Sequence, residues 1–457
     1  MVRVSCNIYT ATLPRKFIIN PNYINKKRYE HTSTSLNLCT TNTSKMALLS
    51  PTQVQIIKST VPVLAQHGET ITAKFYTDLL TANPSLKNVF NTTHQATGHQ
   101  SRALAGALYA YAANIDNLGA LSPALELICH KHVSLFIQPA QYAIVGDFLL
   151  ATMKTVLGAA ATGEVLDAWG AAYWQLADIM IAKEEGLYKS TPGWDGWKDF
   201  TIVSKVAESG SGEICSFYLK PKEAGVEVPV FKPGQYVSVN VRVEELDGGV
   251  WQARQYSLSD ASGKGYLRIS VKKEMGEARE GYVSNILHGK SEGDVVRVSH
   301  PFGDFFFDRE ESGENGPVVL ISAGVGLTCL TSILNGLAAE QGSRPVSWIH
   351  GARDLNARAF KKDVDTLVAA NRNIRAVYFS SNPKEGEVEG QDYHIKGRVD
   401  MDKVGKDALF ADNDQTQYFI CGPTQFMLDV QAKLKSYGVP AERIKMELFG
   451  TGGVPRV

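Results

Sequence analysis

The chain has 457 residues, which is enough for about three domains of ordinary size. Its 44% hydrophobic and 21% charged residues are typical of a globular protein, and 47 basic residues balance 47 acidic ones. A balanced charge gives no reason to expect attraction to nucleic acid, so small diffusible ligands are the better expectation.

The cysteines and the apolar runs give further limits. Six cysteines stand at positions 6, 39, 129, 215, 329 and 421, without the spacing of a zinc site or a disulfide framework. This spacing favours a reducing compartment. No uninterrupted run of about 18 apolar residues is present, so the sequence predicts no membrane span.

Residues 1–46 differ from the rest in composition. They combine many Ser, Thr and Asn with seven basic residues and a single acidic one, Glu30. A basic, Ser-rich and acid-poor segment is typical of a mitochondrial transit peptide. Met46 is an alternative start that would leave the segment out, and an extension without a targeting role is the competing interpretation. Cytoplasmic and mitochondrial locations both stay open.

From Pro51 to about Tyr188, apolar residues recur at intervals of three and four, as amphipathic helices require. Asn83-Pro84 and Ser122-Pro123 each place an N-cap residue before a proline, which marks a helix start. The pattern predicts an all-helical domain over residues 47–190.

Two polar residues lie on the apolar faces of these helices. In the helix expected to begin at Ser122, His132 shares a face with Cys129. An inward histidine is either a hydrogen-bonded core residue or a metal ligand. Glu184 follows Met180 on another apolar stripe. Because burying a carboxylate is costly without a partner, Glu184 either lies in water at the helix end or pairs with a buried group.

The second half of the chain has a different periodicity. After a short segment rich in Gly, Pro and Trp, residues 191–197, several strands with a period of two predict an antiparallel barrel over residues 191–312. From Pro317 strands and helices alternate, which predicts a parallel, doubly wound sheet over residues 313–457. The expected fold is therefore multidomain, with an all-α, an antiparallel β-barrel and an α/β doubly wound domain.

Four short motifs in this half suggest cofactors. PGQY ends at Tyr236, RQYS spans residues 254–257, GVG spans 324–326 and CGP spans 421–423. The GVG loop stands where a strand gives way to a helix, so its amides suit a phosphate. A lone Gly-X-Gly is more often a tight turn, and PGQY or RQYS alone would be weak evidence, but together they favour nucleotide cofactors.

Nearly everything after Met46 resembles a flavohemoglobin, which is a globin fused to a ferredoxin-reductase-like FAD and NAD(P) module. In the second half the four motifs carry the resemblance. In the helical half it is carried by FY at 75–76, NPSLKNVF at 83–90, Gln100, KH at 131–132, QYAIVG at 141–146 and EVLDAWG at 164–170.

The resemblance implies a b-type heme whose iron is bound by His132. It also implies that Phe90 packs on the porphyrin and that Tyr142 and Glu184 hydrogen-bond around His132. A carboxylate on the far ring nitrogen would push electron density toward the iron, which favours oxygen activation.

On the gas-binding side, the resemblance assigns Tyr76, Gln100 and Leu104. Tyr76 would donate a hydrogen bond to iron-bound dioxygen, although a tyrosine at a helix edge is the alternative interpretation. Lys131 and Glu447 resemble charged positions between flavin and heme, but each is equally consistent with a solvated charge.

The remaining assignments concern the two nucleotide cofactors. For FAD, the resemblance implies contacts from Tyr236, Arg254, Gln255, Tyr256 and Ser257, with a covering C-terminal segment of Glu447, Leu448, Phe449, Gly450 and Thr451. For NAD(P)H, it implies Gly324, Val325, Gly326, Leu327, Thr328, Cys329, Cys421, Gly422 and Pro423. Cys329 and Thr451 depart from the family pattern, since proline is commoner at both positions.

The implied activity is that of a nitric oxide dioxygenase. NAD(P)H reduces FAD, FAD reduces heme iron, and heme-bound dioxygen oxidises nitric oxide to nitrate, a detoxification in nitrosative stress. Two alternatives are an oxygen-binding or sensing globin with a self-reducing module, and a general NAD(P)H-dependent heme or flavin reductase. The choice between NADH and NADPH stays open, and a monomer with small-molecule partners is expected.

Overall fold

The computed structural model describes residues 48–276, 281–313, 315–340 and 342–449. Along the chain, a helical region is followed by an antiparallel sheet and then by a parallel sheet with helices. The predictions for residues 1–46, Gly450 and Thr451 fall outside the described residues.

The helical region packs around large buried side chains. α2 packs against α4 and α6, and both α5 and α6 pack against α7. Phe75, Tyr111 and Trp169 are among its largest fully buried residues, and the all-helical prediction is confirmed. The helices are α1 (Pro51–Ser59), α2 (Val61–Ala82), α3 (Thr92–Ala96), α4 (His99–Ala113), α5 (Ser122–Ser134), α6 (Pro139–Leu157) and α7 (Gly163–Lys189).

The two proline-marked helix starts differ from expectation. Ser122 is the first residue of α5, and the N-cap is Leu121, whose side chain makes no capping bond. Asn83-Pro84 opens only a 3₁₀ turn, Pro84–Asn88, also without a side-chain cap bond. Proline fixes φ for a helical first turn, but it does not determine how far the helix continues.

One helix in the described part of the chain is long and apolar enough to cross a membrane by composition alone. It comprises α6 and the turn after it, Pro139–Ala160, with a mean hydropathy of 1.5. The sequence had predicted no such segment. Because α6 packs against α2 and α7, we assign it to the packing of the helical region.

The antiparallel sheet has the order β4-β3-β6-β1-β2-β5. A bridge between Leu258 and Ile269 joins the region after β4 to β5 and closes the sheet into the expected barrel. β4, which contains RQYS, had not been predicted because Gln252, Arg254 and Gln255 interrupt its apolar pattern. The elements are β1 (Lys198–Ala207), β2 (Ile214–Pro221), β3 (Tyr236–Val243), β4 (Val250–Ser257), β5 (Leu267–Lys272), α8 (Tyr282–Gly289) and β6 (Val295–Val298).

The Gly/Pro/Trp segment before β1 packs on the barrel. Trp194 is buried, and its ring lies 6.1 Å from Phe200 and 5.3 Å from His300, measured between centroids. Residues 191–197 therefore connect two regions without forming a free linker.

The second sheet is parallel throughout, with the order β10-β9-β8-β7-β11-β12. The chain reverses its direction of progress across the sheet at β7, and ligands bind at such a switch point in this fold class. The elements are β7 (Val318–Ala323), α9 (Leu327–Ala339), β8 (Val346–Ala352), α10 (Lys361–Ala370), β9 (Ile374–Ser380), β10 (Ile395–Lys396), α11 (Met401–Val404), α12 (Lys406–Leu409), β11 (Gln417–Cys421), α13 (Thr424–Ser436) and β12 (Ile444–Glu447).

Candidate functional site

Side chains from three helices meet at His132. Its Nδ1 lies 2.8 Å from Glu184 Oε1 and 3.0 Å from the Tyr142 hydroxyl, which donates to the same carboxylate oxygen at 2.7 Å. Because a carboxylate only accepts, we assign the ring proton to Nδ1. Nε2 makes no hydrogen bond to any residue that the structure describes, and the side chain is 32% exposed. This nitrogen suits a metal.

Glu184 has buried partners. Its side chain is only 4% exposed, so the interpretation that required a partner fits better than the one that placed it in water. Burial, followed by the hydrogen bond to Glu184, raises the pKa of Tyr142. Tyr142 therefore stays protonated and donates. Burial, again ahead of Glu184, raises the pKa of the nearby Cys129 thiol to about 12.

A second cluster joins α2 and α4. Tyr76 is 7% exposed, and its ring lies edge-on to Phe90 with 5.4 Å between centroids. Burial raises the pKa of Tyr76, and a hydrogen bond with Gln100 partly offsets that rise. Leu104, one helical turn after Gln100, packs against the same core. The structure therefore brings together the four residues expected to face a heme and its gas ligand.

The segment that carries Phe90 is fastened to β4 by Gln252, a residue that the sequence analysis missed. Gln252 is 1% exposed. Its carbonyl accepts from both the amide and the hydroxyl of Thr92, each at 3.0 Å. Its amide donates to the Lys87 carbonyl at 2.9 Å and to the Phe90 carbonyl at 3.2 Å. The only sequence signal was a polar residue in a mixed strand.

Arg254, also on β4, is a partly buried cation that forms no ion pair with any residue that the structure describes. Its guanidinium donates to Asn91 Oδ1 and to the Ala253 carbonyl, both at 2.7 Å. Among the described residues, no carboxylate oxygen lies within 4.0 Å of its guanidinium nitrogens. Burial lowers its pKa to about 10. Such a cation fits an anionic cofactor group, as the FAD pyrophosphate would be.

The other barrel residues assigned to FAD differ from Arg254 in their surroundings. Tyr256 packs partly on the barrel core, Ser257 is 8% exposed, and Gln255 Nε2 donates to Ser238 Oγ at 3.1 Å. Tyr236 is 5% exposed and packs with Val133 of α5. Its ring thus lies at the junction of barrel and helices, and its contact with FAD stays a prediction.

The GVG loop forms a cradle at the end of β7. Gly324 has a positive φ of 57°, and a side chain there would meet nothing within 4 Å. A Cβ on Gly326 would lie 2.2 Å from the Cys421 carbonyl oxygen, so only glycine allows loop and strand end to touch. The first amides of α9 follow directly, which suits a phosphate.

Most residues that line this cradle are buried, whereas Gly324 is exposed and Val325 is partly buried. Val325 packs on the apolar core, and Leu327, Thr328 and Cys329 form the first turn of α9. Thr328 Oγ1 donates to the Val325 carbonyl at 3.2 Å, and Cys329 Sγ lies 3.6 Å from the Gly326 carbonyl oxygen.

Cys421 ends the neighbouring strand β11, ahead of Gly422 and Pro423. The thiol is fully buried, and burial, then the nearby Cys329, raises its pKa well above the usual value. It therefore stays protonated. Cys421 pairs with Glu447 in the parallel register of β11 and β12. These positions bring the predicted nicotinamide residues to one edge of the sheet.

The C-terminal segment begins at Glu447. Glu447 is 6% exposed and raises the pKa of Tyr236, after burial, so it approaches the barrel. Leu448 packs on the core of the parallel sheet, whereas Phe449 is 44% exposed. Lys131 lies close enough to His94 to affect its protonation: burial first, then Arg254, His99 and Lys131, lower the pKa of His94 to about 4.

Three family models match the chain in order. They are a globin domain at residues 73–180, an oxidoreductase FAD-binding domain at 199–307 and an oxidoreductase NAD-binding domain at 320–432. With the sites described above, they define the class: a globin joined to an FAD- and NAD-binding oxidoreductase. The matched ranges lie inside the three predicted domains, whose boundaries stay predictions.

Relatives and a solved structure are similar over most of the chain. Flavohemoproteins from Bordetella parapertussis and Rhizobium meliloti are 46% and 44% identical, over 89% and 88% of this chain and 100% and 98% of their own lengths. The crystal structure of a flavohemoglobin from Malassezia yamatoensis with bound FAD and heme matches with a TM-score of 0.77 at 28% identity, covering 88% of this chain and 100% of its own. This chain belongs to the flavohemoprotein family. The predicted fold class, the resemblance and the cofactors heme, FAD and NAD(P)H are confirmed.

Proposed function

We propose that the protein is a nitric oxide dioxygenase that uses NAD(P)H. Nitric oxide and dioxygen combine with one electron to give nitrate, so the two electrons of one NAD(P)H serve two molecules of nitric oxide. Bound heme and FAD would supply the oxygen and electron-transfer chemistry, while the chain aligns them and sets their surroundings. The observation that carries this proposal is the contact of His132 with the Glu184 carboxylate.

This contact changes the character of the iron ligand. A buried carboxylate that accepts from Nδ1–H gives the ring imidazolate character and makes Nε2 more electron-rich. Tyr142 donates to the same oxygen and holds it in place. A strongly donating ligand favours reduction of oxygen over its storage, which supports an enzyme over an oxygen carrier.

On the opposite, gas-binding side assigned by family resemblance, Tyr76 and Gln100 would hold the gas. Because burial raises the pKa of Tyr76, its hydroxyl keeps its proton and can donate to a polar ligand. Gln100 also accepts from Gln95 Nε2 at 3.0 Å, which fixes its amide. Leu104 would limit the space available to larger molecules.

Hydride would enter at the edge of the parallel sheet. The amides after Gly324 and the N-terminus of α9 would bind the pyrophosphate of NAD(P)H. Cys421, a neutral thiol, would lie beside the nicotinamide without attracting its positive charge. Arg254 would hold the phosphates of FAD.

Nitric oxide consumption is the deciding experiment. Purified protein loaded with heme and FAD should remove nitric oxide in the presence of oxygen and either NADH or NADPH, producing nitrate at two per coenzyme oxidised. Consumption no faster than in the absence of protein would contradict the proposal and leave the oxygen-binding globin. Faster turnover with ferric iron, quinones or peroxides than with nitric oxide would favour the general reductase.

The partners and the location are further proposals. We expect small molecules as the only ligands, and a monomer. Residues 1–46 would direct the chain to mitochondria, or be left out if translation begins at Met46, which gives a cytoplasmic protein. Imaging a tagged full-length chain beside one that begins at Met46 tests this, and identical distributions would rule out targeting.

A further inference from the structure

The helix that carries His132 is hydrogen-bonded directly to the strands that carry the flavin motif. Ser134 lies on α5 two residues after His132, and Ser238 lies on β3. Both are fully buried, and their hydroxyl oxygens are 2.9 Å apart. Neither residue belongs to a cofactor-binding motif.

The hydrogen bonds around this pair run in one direction. Gln255 Nε2 donates to Ser238 Oγ at 3.1 Å, Ser238 Oγ donates to Ser134 Oγ, and Ser134 Oγ donates to the Lys131 carbonyl at 2.8 Å. Each hydroxyl both accepts and donates, so the chain of bonds is continuous. We call these four groups the serine relay. The Lys131 carbonyl belongs to the peptide bond that joins Lys131 to His132.

A second bond fixes α5 on the other side of His132. The Gly303 amide donates to His130 Nδ1 at 3.0 Å. Because an amide only donates, the ring proton lies on Nε2, which is 3.1 Å from Glu126 Oε1. The helix is thus fastened to the barrel two residues before and two residues after His132.

We propose that Ser134 and Ser238 are positioning residues for electron transfer from flavin to heme. The serine relay joins the RQYS strand to the helix of the iron ligand through one buried and two partly buried hydrogen bonds, which fixes the relative position of the two cofactor sites. Small displacements of reacting groups change rates steeply, and buried networks resist displacement when every member is bonded. The proposal rests on the heme and FAD sites of the proposed function, but not on nitric oxide as the substrate.

The test separates the two electron-transfer steps in the intact, cofactor-loaded protein. In anaerobic stopped-flow experiments under carbon monoxide, flavin absorbance reports reduction by NAD(P)H and heme absorbance reports the next step. For Ser238→Ala and Ser134→Ala we expect unchanged flavin reduction and heme reduction slower by about tenfold or more. The double variant should be no slower than the slower single variant, because both changes interrupt one chain of bonds.

The barrel offers a matched control. Ser270 Oγ lies 2.7 Å from Ser216 Oγ and 2.7 Å from Ser259 Oγ, so it is also a buried serine bonded to two hydroxyls. Ser270→Ala should leave heme reduction unchanged. Equal slowing by Ser270→Ala and Ser238→Ala, or slowing by neither, would overturn the proposal. A wild-type protein that reduces its heme but consumes no nitric oxide would contradict the proposed function alone.

A second pair of variants removes the effect of side-chain size. Ser238→Thr and Ser238→Val have almost the same volume, but only threonine keeps the hydroxyl. Heme reduction should be faster in Ser238→Thr than in Ser238→Val by a similar factor of about ten. Equal rates in the two variants would also overturn the proposal, even if alanine variants fail to fold.

Discussion

Among single residues, His132 and Glu184 show how a side chain far along the sequence sets the chemistry of a ligand. The apolar stripe of α7 was enough to indicate that Glu184 faces inward, and the resemblance supplied its partner. The sequence did not indicate the orientation of the His132 ring, because it does not distinguish Nδ1 from Nε2. Only the 2.8 Å contact of Nδ1 with Glu184 leaves Nε2 for the iron.

Replacement of His132 tests the ligand assignment. We expect His132→Ala to lose the Soret absorbance of bound heme while keeping flavin absorbance, because the barrel residues do not depend on the ring. The measurement is an absorption spectrum of the purified variant. His130→Ala is the matched control, since it removes a neighbouring histidine that does not face iron, and it should keep the Soret band. A normal Soret band in His132→Ala would contradict the assignment.

Replacement of Glu184 tests the electron push. A neutral amide accepts a weaker hydrogen bond than a carboxylate, so Glu184→Gln should retain heme but turn over nitric oxide about tenfold more slowly. The iron–histidine stretching frequency, measured by resonance Raman spectroscopy, should fall as well. Glu185→Gln changes an exposed neighbour whose side chain is 62% exposed, and it should change neither quantity. If Glu184→Gln matches the wild type in both, Glu184 has no part in the mechanism.

Among the elements, β4 and the segment before α3 were the hardest to predict. Gln252, Arg254 and Gln255 made β4 too polar to be recognised as a strand, yet each has a specific partner in the fold. The partners of Gln252 and Arg254 lie in another region of the chain, about 160 residues away, whereas Gln255 contacts Ser238 on the neighbouring strand β3. Periodicity reports which face of an element is buried, but it does not report what a distant segment presents to that face.

The bonds of Gln252 give a stability prediction. Gln252→Ala would leave the Thr92 amide and the Lys87 and Phe90 carbonyls without their partner. We expect a loss of about 1–3 kcal/mol in the free energy of unfolding, together with faster transfer of heme to an acceptor globin. Urea unfolding and heme-transfer kinetics measure the two effects. Gln391→Ala changes an exposed glutamine and should affect neither quantity. Heme retention equal to wild type in Gln252→Ala would show that the hydrogen bonds of Gln252 do not support the heme site.

For the molecule as a whole, the three-part architecture was predictable because each region has its own period and its own motifs. The hydrogen bonds that fasten the regions to one another were not predictable. Ser134 and Ser238 are 104 positions apart, and serines are too common for their pairing to be expected from sequence. Composition and periodicity therefore predicted the regions, whereas the way the regions are fastened to one another is visible only in the structure.

Acid should destabilise the molecule through buried His350. Its Nδ1 is 2.9 Å from Ser322 Oγ, and burial lowers its pKa from 6.5 to about 3. The unfolded chain binds the proton more tightly, so this stabilisation is present above pH 6.5 and is lost as the pH falls toward 3. At pH 5 the loss should be about 2 kcal/mol. We expect the urea midpoint of His350→Asn to depend less on pH than that of the wild type between pH 7.5 and 5; equal dependence would contradict this assignment.

Because hydrogen bonds fasten α5 and the Phe90 segment to the barrel, domains cannot be exchanged between relatives at the end of the globin without losing these bonds. A globin half cut out after residue 190 would expose Ser134 and His130 to water and release Phe90 from Gln252. A chimera that joins this globin to a foreign reductase would retain both catalytic centres, yet would lack the bonds between them unless the foreign strands carry the same hydroxyl and amide. We therefore expect the functional unit of exchange to be the globin together with β3, β4 and the segment that carries Gly303.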